Sequence, residues 1–277
     1  MSALDAGLIG TLYRAACLAE LDALKPGNVH AYADGHRMVV ADFVTSADVS
    51  APELARSGAG VGERVRAGIA ATLAAVAQNT NLGILLLCAP LAVAAERARP
   101  VGAVLDDLDA ADSAAVFAAI RLANPGGLGR ATKHDVAAEA PASLRAAMAE
   151  AADRDRIARA YITSFSDIAT IGLPALVEAR AQGLDPSWCT TAIQLAYLRS
   201  VPDSHIARKA GAEAAEGVRL EAEAVLSGLD LASRPVAPLL SLDTSLKARG
   251  LNPGTSADFT VATVFWDALA SAGAALA

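Results

Sequence analysis

Strand-forming sequence is missing from this chain of 277 residues. Aromatic residues make up only 4% of it, and nowhere do β-branched or aromatic side chains alternate with polar ones for the length of a half-buried strand. Sheet-based folds are thereby set aside. Cysteine is scarce too: Cys17, Cys88 and Cys189 lie far apart in apolar surroundings, without a C-x-x-C or paired spacing. That pattern excludes a disulfide framework and a zinc site, and it reads as buried thiols in a reducing compartment. No apolar run reaches membrane length, since the longest spans residues 82–95. No basic region followed by an apolar run opens the chain, so a cytoplasmic protein with no membrane partner is expected. There is no basic block either, and the net charge is -7, which argues against a nucleic-acid partner.

What is abundant is small and aliphatic. Hydrophobic residues make up 54% of the chain and mean hydropathy is +0.37. Apolar residues recur at helical spacing over residues 4–24, 61–78, 82–95, 110–123, 143–150, 167–182, 186–199, 235–249 and from 255 onward. Two short helices are expected around 42–46 and after Ser50, one from the acidic run at 153–156 to about Phe165, and a long one ending near Leu226. The run 82–95 is apolar nearly all round and belongs at the centre of a core. Gly58, Gly60 and Gly62 match no phosphate-binding fingerprint and read as a hinge or lid. The chain is expected to form one all-α domain over 1–277, with roughly ten or more helices and loops converging on one polar cleft.

The polar residues carry the functional signal. All four histidines (His30, His36, His134, His205) and all five asparagines (Asn28, Asn79, Asn81, Asn124, Asn252) stand at helix-joining corners, beside Lys25, Lys133 and Lys209. Turn propensity accounts for asparagine there but not for histidine and lysine. A shared site at one end of a helical bundle accounts for all three. The last corner is the most telling: Asn252-Pro253-Gly254 turns the chain into an apolar helix that Thr255 or Ser256 can cap, with Asp258 in its first turn. Free backbone N–H groups at such a start suit a phosphate, and a carboxylate there suits a metal ion bridging phosphates.

Five ordered motifs carry a family resemblance. Lys25-Pro26-Gly27-Asn28-Val29, Asn79-Thr80-Asn81-Leu82-Gly83, the His134-Asp135 pair, Asp203-Ser204-His205-Ile206-Ala207-Arg208-Lys209 and Asn252-Pro253-Gly254-Thr255-Ser256-Ala257-Asp258 resemble the triphosphoribosyl-dephospho-coenzyme-A synthases. Those enzymes make the prosthetic-group precursor of citrate lyase and malonate decarboxylase. Where citrate-lyase members carry a lysine in the second motif and an acid after the first-loop histidine, this chain has Leu82 and Arg37. In this it is closer to a shorter branch linked to methanopterin-type cofactor assembly.

The resemblance implies an all-helical transferase that moves the triphosphoribosyl group of ATP to a ribose hydroxyl of dephospho-coenzyme A and releases adenine. An oxocarbenium-like transition state and a polyanionic donor set the roles. Lys25, Arg208 and Lys209 are expected on phosphates, and Asp203 and Asp258 on magnesium or the sugar cation. His30 and His134 are expected to move protons, with Asp135 orienting His134. Gly27, Asn28, Asn79, Thr80, Asn81, Asn252, Gly254 and Thr255 are expected to fix ribose, base or phosphate. Two alternatives stay open: a tetrahydromethanopterin-precursor acceptor, and a magnesium-dependent nucleotide hydrolase using Glu20, Asp42 and Asp153. A homo-oligomer is compatible with the sequence, as is a helical scaffold without catalysis.

Overall fold

Alanine and leucine at helical spacing, punctuated by glycine and proline, wind most of the described residues into helices. The computed structural model describes residues 3–33, 38–124 and 143–277. Its α-helices are α1 (Ala6–Asp22), α2 (Val40–Leu54), α3 (Val61–Val76), α4 (Leu82–Arg97), α5 (Val101–Asp106), α6 (Ala110–Ala123) and α7 (Leu144–Ala151). They continue as α8 (Arg156–Ile162), α9 (Leu173–Ala181), α10 (Pro186–Ser200), α11 (Ser204–Ala210), α12 (Ala212–Leu226), α13 (Val236–Ala248) and α14 (Gly254–Ser271). A π-helical turn at Ile168–Gly172 leads into α9, and a 3-10 turn at Leu231–Ser233 precedes α13. Among the described residues the all-α expectation holds: the bridge between His30 and Ala33 is isolated, and no helix is long and apolar enough to cross a membrane.

The chain divides into two units, one of residues 1–16, 42–166 and 265–277, the other of residues 17–41 and 167–264. In the first unit α4 is the centre, as its all-round apolarity predicts, and it packs against α3, α5, α6 and α8. Pro90 lies inside this helix, so the carbonyl of Leu86 has no amide four residues on. The Tyr161 hydroxyl of α8 donates to that carbonyl at 2.8 Å, so the buried acceptor is satisfied. The glycine-rich loop expected as a hinge is pinned instead. Gly58 N donates to Glu96 and Gly62 N to Asp112, and a Cβ on Gly62 would lie 2.4 Å from the Asp112 carbonyl oxygen. Arg64, fully buried, closes the loop by donating to Leu54 O, Ala59 O and Glu96. The two short helices expected near 42–46 and Ser50 are one helix, α2, because Ser46 and Ser50 bond back to the carbonyls four residues earlier rather than capping a new start.

In the second unit α10 is the buried helix, packed against α9, α12 and the π-helical turn. Gly172 at the end of that turn has no room for a side chain: a Cβ would lie 2.3 Å from Thr263 Oγ1 and 2.4 Å from Tyr197 Oη. A leucine-rich cluster of Leu198, Ile206, Val218, Leu242, Leu246 and Leu251 ties α10 through α13 to the turn before α14. The long helix expected to end at Leu226 is two, because Gly211, at φ +97°, breaks it between α11 and α12.

Candidate functional site

Three of the five motifs lie in the second unit, and there they meet. α1 ends at Asp22, Pro26 keeps the chain beyond it from resuming a helix, and Gly27 turns it at φ +83° against Pro253 and Leu251 of the last corner. Asn28 then joins the two turns: its Nδ2 donates to Asn252 Oδ1 at 3.0 Å. Its Oδ1 accepts from Val29 N at 2.7 Å and from Lys25 Nζ at 3.5 Å.

Lys25, expected on phosphate, is fully buried and donates to Glu20, one turn back on α1. Burial pushes the Glu20 carboxyl up and the Lys25 ammonium down, and each is opposed by the other's charge. Glu20 is therefore the partner of Lys25, not one acid of a hydrolase cluster. Two further charges act on Lys25: Lys247 against its protonation and Asp258 in favour of it.

Beneath this turn lies a carboxylate that the motifs do not contain. Asp243 of α13, buried to 3% exposure, accepts from Gly27 N at 2.8 Å and from Lys247 Nζ at 3.0 Å through the same oxygen, Oδ1. His30 Nε2 lies 3.3 Å from that oxygen, off the line of a hydrogen bond. Burial alone would raise the Asp243 carboxyl, but His30, the Gly27 amide and Lys247 hold it below the usual carboxylate range. His30, expected to move protons, is fully buried, and its Nδ1 accepts from Tyr32 N at 3.3 Å. Both ring nitrogens therefore face the protein.

The second junction joins two helix starts. Asp203, buried to 3% exposure, caps α11 by accepting from His205 N at 2.9 Å and Ile206 N at 3.1 Å. Its other oxygen accepts from Ser256 N at 2.7 Å and Ser256 Oγ at 2.8 Å at the start of α14. Thr255 Oγ1 returns the contact, accepting from His205 N at 3.1 Å. The cap of α14 is thus Asp203 rather than Thr255 or Ser256, and part of the anion position offered by that helix start is filled by a carboxylate. Burial pushes the Asp203 carboxyl up against the pull of these four donors. Gly254 is required here because a Cβ would lie 2.7 Å from His205 Nδ1.

In this unit Lys25, Asn28, His30, Asp203 and Asp243 are buried, Asn252, Gly254, His205, Arg208 and Asp258 are half-exposed, and Lys209 is exposed. The described residues contain no group of three His, Cys, Asp or Glu side chains able to cage a metal. Magnesium carried on a triphosphate needs only one or two protein carboxylates. Asp203 does not fit that task, since both of its oxygens already hold two donors; Asp258 is half-exposed.

The remaining candidates belong to the first unit or lie outside the described residues. In the first unit, Asn79 Oδ1 accepts from Leu82 N at 3.1 Å at the start of α4, and Thr80 Oγ1 donates to Ser46 Oγ at 2.6 Å. Asn81 Nδ2 donates to Thr72 Oγ1 at 3.0 Å and Ser50 Oγ at 3.3 Å, while its buried Oδ1 has no partner. His36, Arg37, Lys133, His134 and Asp135 lie outside the described residues. Asp243 and Lys247 were missed in sequence because an Asp–Lys pair four apart in a helix reads as surface charge; Lys247, the fourth lysine, was the one that stood away from the corners.

Comparison with known proteins shows the family and an overall structural likeness. A family profile described as CitG: ATP:dephospho-CoA triphosphoribosyl transferase matches residues 6–275. A crystal structure from Archaeoglobus fulgidus, provisionally described as a triphosphoribosyl-dephospho-coA synthase, superposes with a TM-score of 0.64 at 25% identity, covering 82% of this chain and 97% of that one. No curated protein matches the chain.

Proposed function

This chain belongs to the CitG family of ATP:dephospho-CoA triphosphoribosyl transferases, and from that premise we propose that it moves the 5-triphosphoribosyl group of ATP to a ribose hydroxyl of dephospho-coenzyme A, with release of adenine. As a triphosphoribosyl transferase it is a pentosyltransferase. In the proposed step the bond from ribose C1 to the adenine nitrogen breaks and its electron pair leaves with the base. The acceptor hydroxyl oxygen bonds to C1 and gives up its proton, the base gains one, and the triphosphate stays on C5 of the transferred sugar.

The observation that supports this reading is the meeting of the Lys25, Asp203 and Asn252 motifs within one unit. A sugar carbon losing a neutral base develops positive charge, which a fixed carboxylate stabilises. Asp258, on the first turns of α14, is the residue proposed for that task or for magnesium. Magnesium, bound with ATP, would neutralise phosphate charge. Arg208 and Lys209, at the last turn of α11, are proposed for phosphate oxygens, and Asn252 for a ribose or phosphate oxygen. Asp203 and Lys25 act at one remove, by holding the helix starts and Asn28. His134 and Asp135 keep their proposed roles in proton transfer.

Incubation of the protein with ATP and dephospho-coenzyme A, followed by chromatography, tests the reading. Adenine should appear in step with a triphosphoribosylated product. Adenine formed only with a pterin-linked ribose acceptor would move the activity to the one-carbon branch. Phosphate released without adenine would make the protein a nucleotide hydrolase and overturn the proposal.

A further inference from the structure

Asp243 and Lys247 lie one helical turn apart on α13, on one face, and their side chains reach the two ends of the loop formed by residues 27–33. Asp243 Oδ1 takes the Gly27 amide at 2.8 Å. Lys247 Nζ donates to the Ala33 carbonyl at 3.1 Å and to Asp243 at 3.0 Å, so the two grips are tied to each other. Between them the loop holds itself: His30 N donates to Ala33 O at 3.2 Å and Ala33 N to His30 O at 2.9 Å. Within the loop His30 Nδ1 accepts from Tyr32 N, which leaves Nε2 as the ring nitrogen on the side of Asp243. The first side chain the loop presents beyond Gly27 is Asn28, whose amide hydrogen-bonds Asn252 Oδ1. That bond orients Asn252 so that its NH2 end is the remaining donor, suited to a ribose or phosphate oxygen.

We propose that Asp243 and Lys247 form a positioning clamp that sets the register of loop 27–33 and, through Asn28, turns the Asn252 amide toward the oxygens of ATP. The proposal rests on the reading of the site as an ATP site. Neither residue touches substrate in this account. The clamp places the loop, the loop places Asn28, and Asn28 orients Asn252.

Two measurements test it, one of them independent of activity. In hydrogen exchange of the full chain without ligand, Lys247→Met should speed exchange of the amides of residues 27–33 by about tenfold or more while leaving the α10 amides unchanged. Lys247→Arg, which keeps both donors, should restore protection. Unchanged exchange in 27–33 would overturn the clamp whether or not the protein transfers ribose. In the adenine-release assay, Lys247→Met and Asp243→Asn should raise KM for ATP on the order of tenfold with kcat nearly kept. In an Asn252→Ala background the same substitutions should change KM less than about twofold, because what the clamp positions is already gone. Equal effects in both backgrounds would make the pair merely structural and sink the proposal. If the unsubstituted protein releases no adenine, the functional reading falls, and the exchange result alone still decides the clamp.

Discussion

Gly27 and Pro253 belong to turns more than two hundred residues apart in sequence, yet a single added methyl would not fit between them: a Cβ on Gly27 would lie 2.8 Å from Pro253 Cδ. The same Cβ would stand 2.9 Å from Leu246 Cδ1 and 3.0 Å from the Leu251 carbonyl oxygen, and Gly27 is held at φ +83°. The two motif turns therefore interlock through the absence of a side chain.

Gly27→Ala should accordingly lower stability by roughly 2–4 kcal/mol, combining left-handed strain with overpacking. Urea unfolding measures the loss. A variant as stable as the parent would mean that the turns do not meet as described.

Removing one member of the buried Glu20–Lys25 pair strands the other charge. Glu20→Gln and Lys25→Met should each cost about 3–5 kcal/mol, while the double variant should lose less than the sum of the two. Denaturant titration of all four proteins gives the coupling. Additive losses would show that the two side chains do not compensate each other.

Asp243 predicts an acid sensitivity. Its carboxyl titrates below the ordinary 3.8 in the folded protein, so as pH falls the unfolded chain takes up this proton first. Between the two values the unfolded state binds more protons, and stability rises with pH. The contribution is complete above about 3.8 and is lost as pH falls through the folded value. Asp243→Asn should flatten stability against pH below about pH 4, relative to the parent protein. Parallel curves for the two proteins would remove Asp243 as the titrating group.

Asp258→Asn separates catalysis from folding. The start of α14 is already capped by Asp203, so Asp258→Asn leaves that cap in place and any loss in the thermal melt should stay below about 1 kcal/mol, the size of a lost cap. Turnover should fall about a hundredfold, since charge stabilisation at a developing sugar cation is commonly worth about 3 kcal/mol. Melts and adenine release on one preparation decide it: a lower melting temperature with turnover kept would make Asp258 a structural residue only.

The helical class was legible because it depends on local spacing. Apolar residues three and four apart wind helices whatever their neighbours do, and α4 reads as a core helix from its own composition. The candidate corners were legible as turns too, since Lys25-Pro26-Gly27-Asn28 and Asn252-Pro253-Gly254 cannot continue a helix. Boundaries were harder where a side chain has two local uses. Ser50 reads as a cap and instead bonds back along α2, and Gly211 divides what periodicity joins.

Only the tertiary structure decided what each polar group does, because burial and partnership belong to contacts between distant segments. Lys25 reads as a phosphate ligand until burial removes it from water and pairs it with Glu20. Asp203 reads as a metal ligand until Ser256, fifty-three residues on, fills its second oxygen. Asp243 and Lys247 read as an ordinary charge pair on a helix surface until Gly27 and Ala33 arrive from the other end of the chain. The sequence by itself determined which residues could do chemistry and roughly where helices stop. Packing determined which of those charges are covered and paired, since a charge's role follows from its distance to water and to its counter-charge.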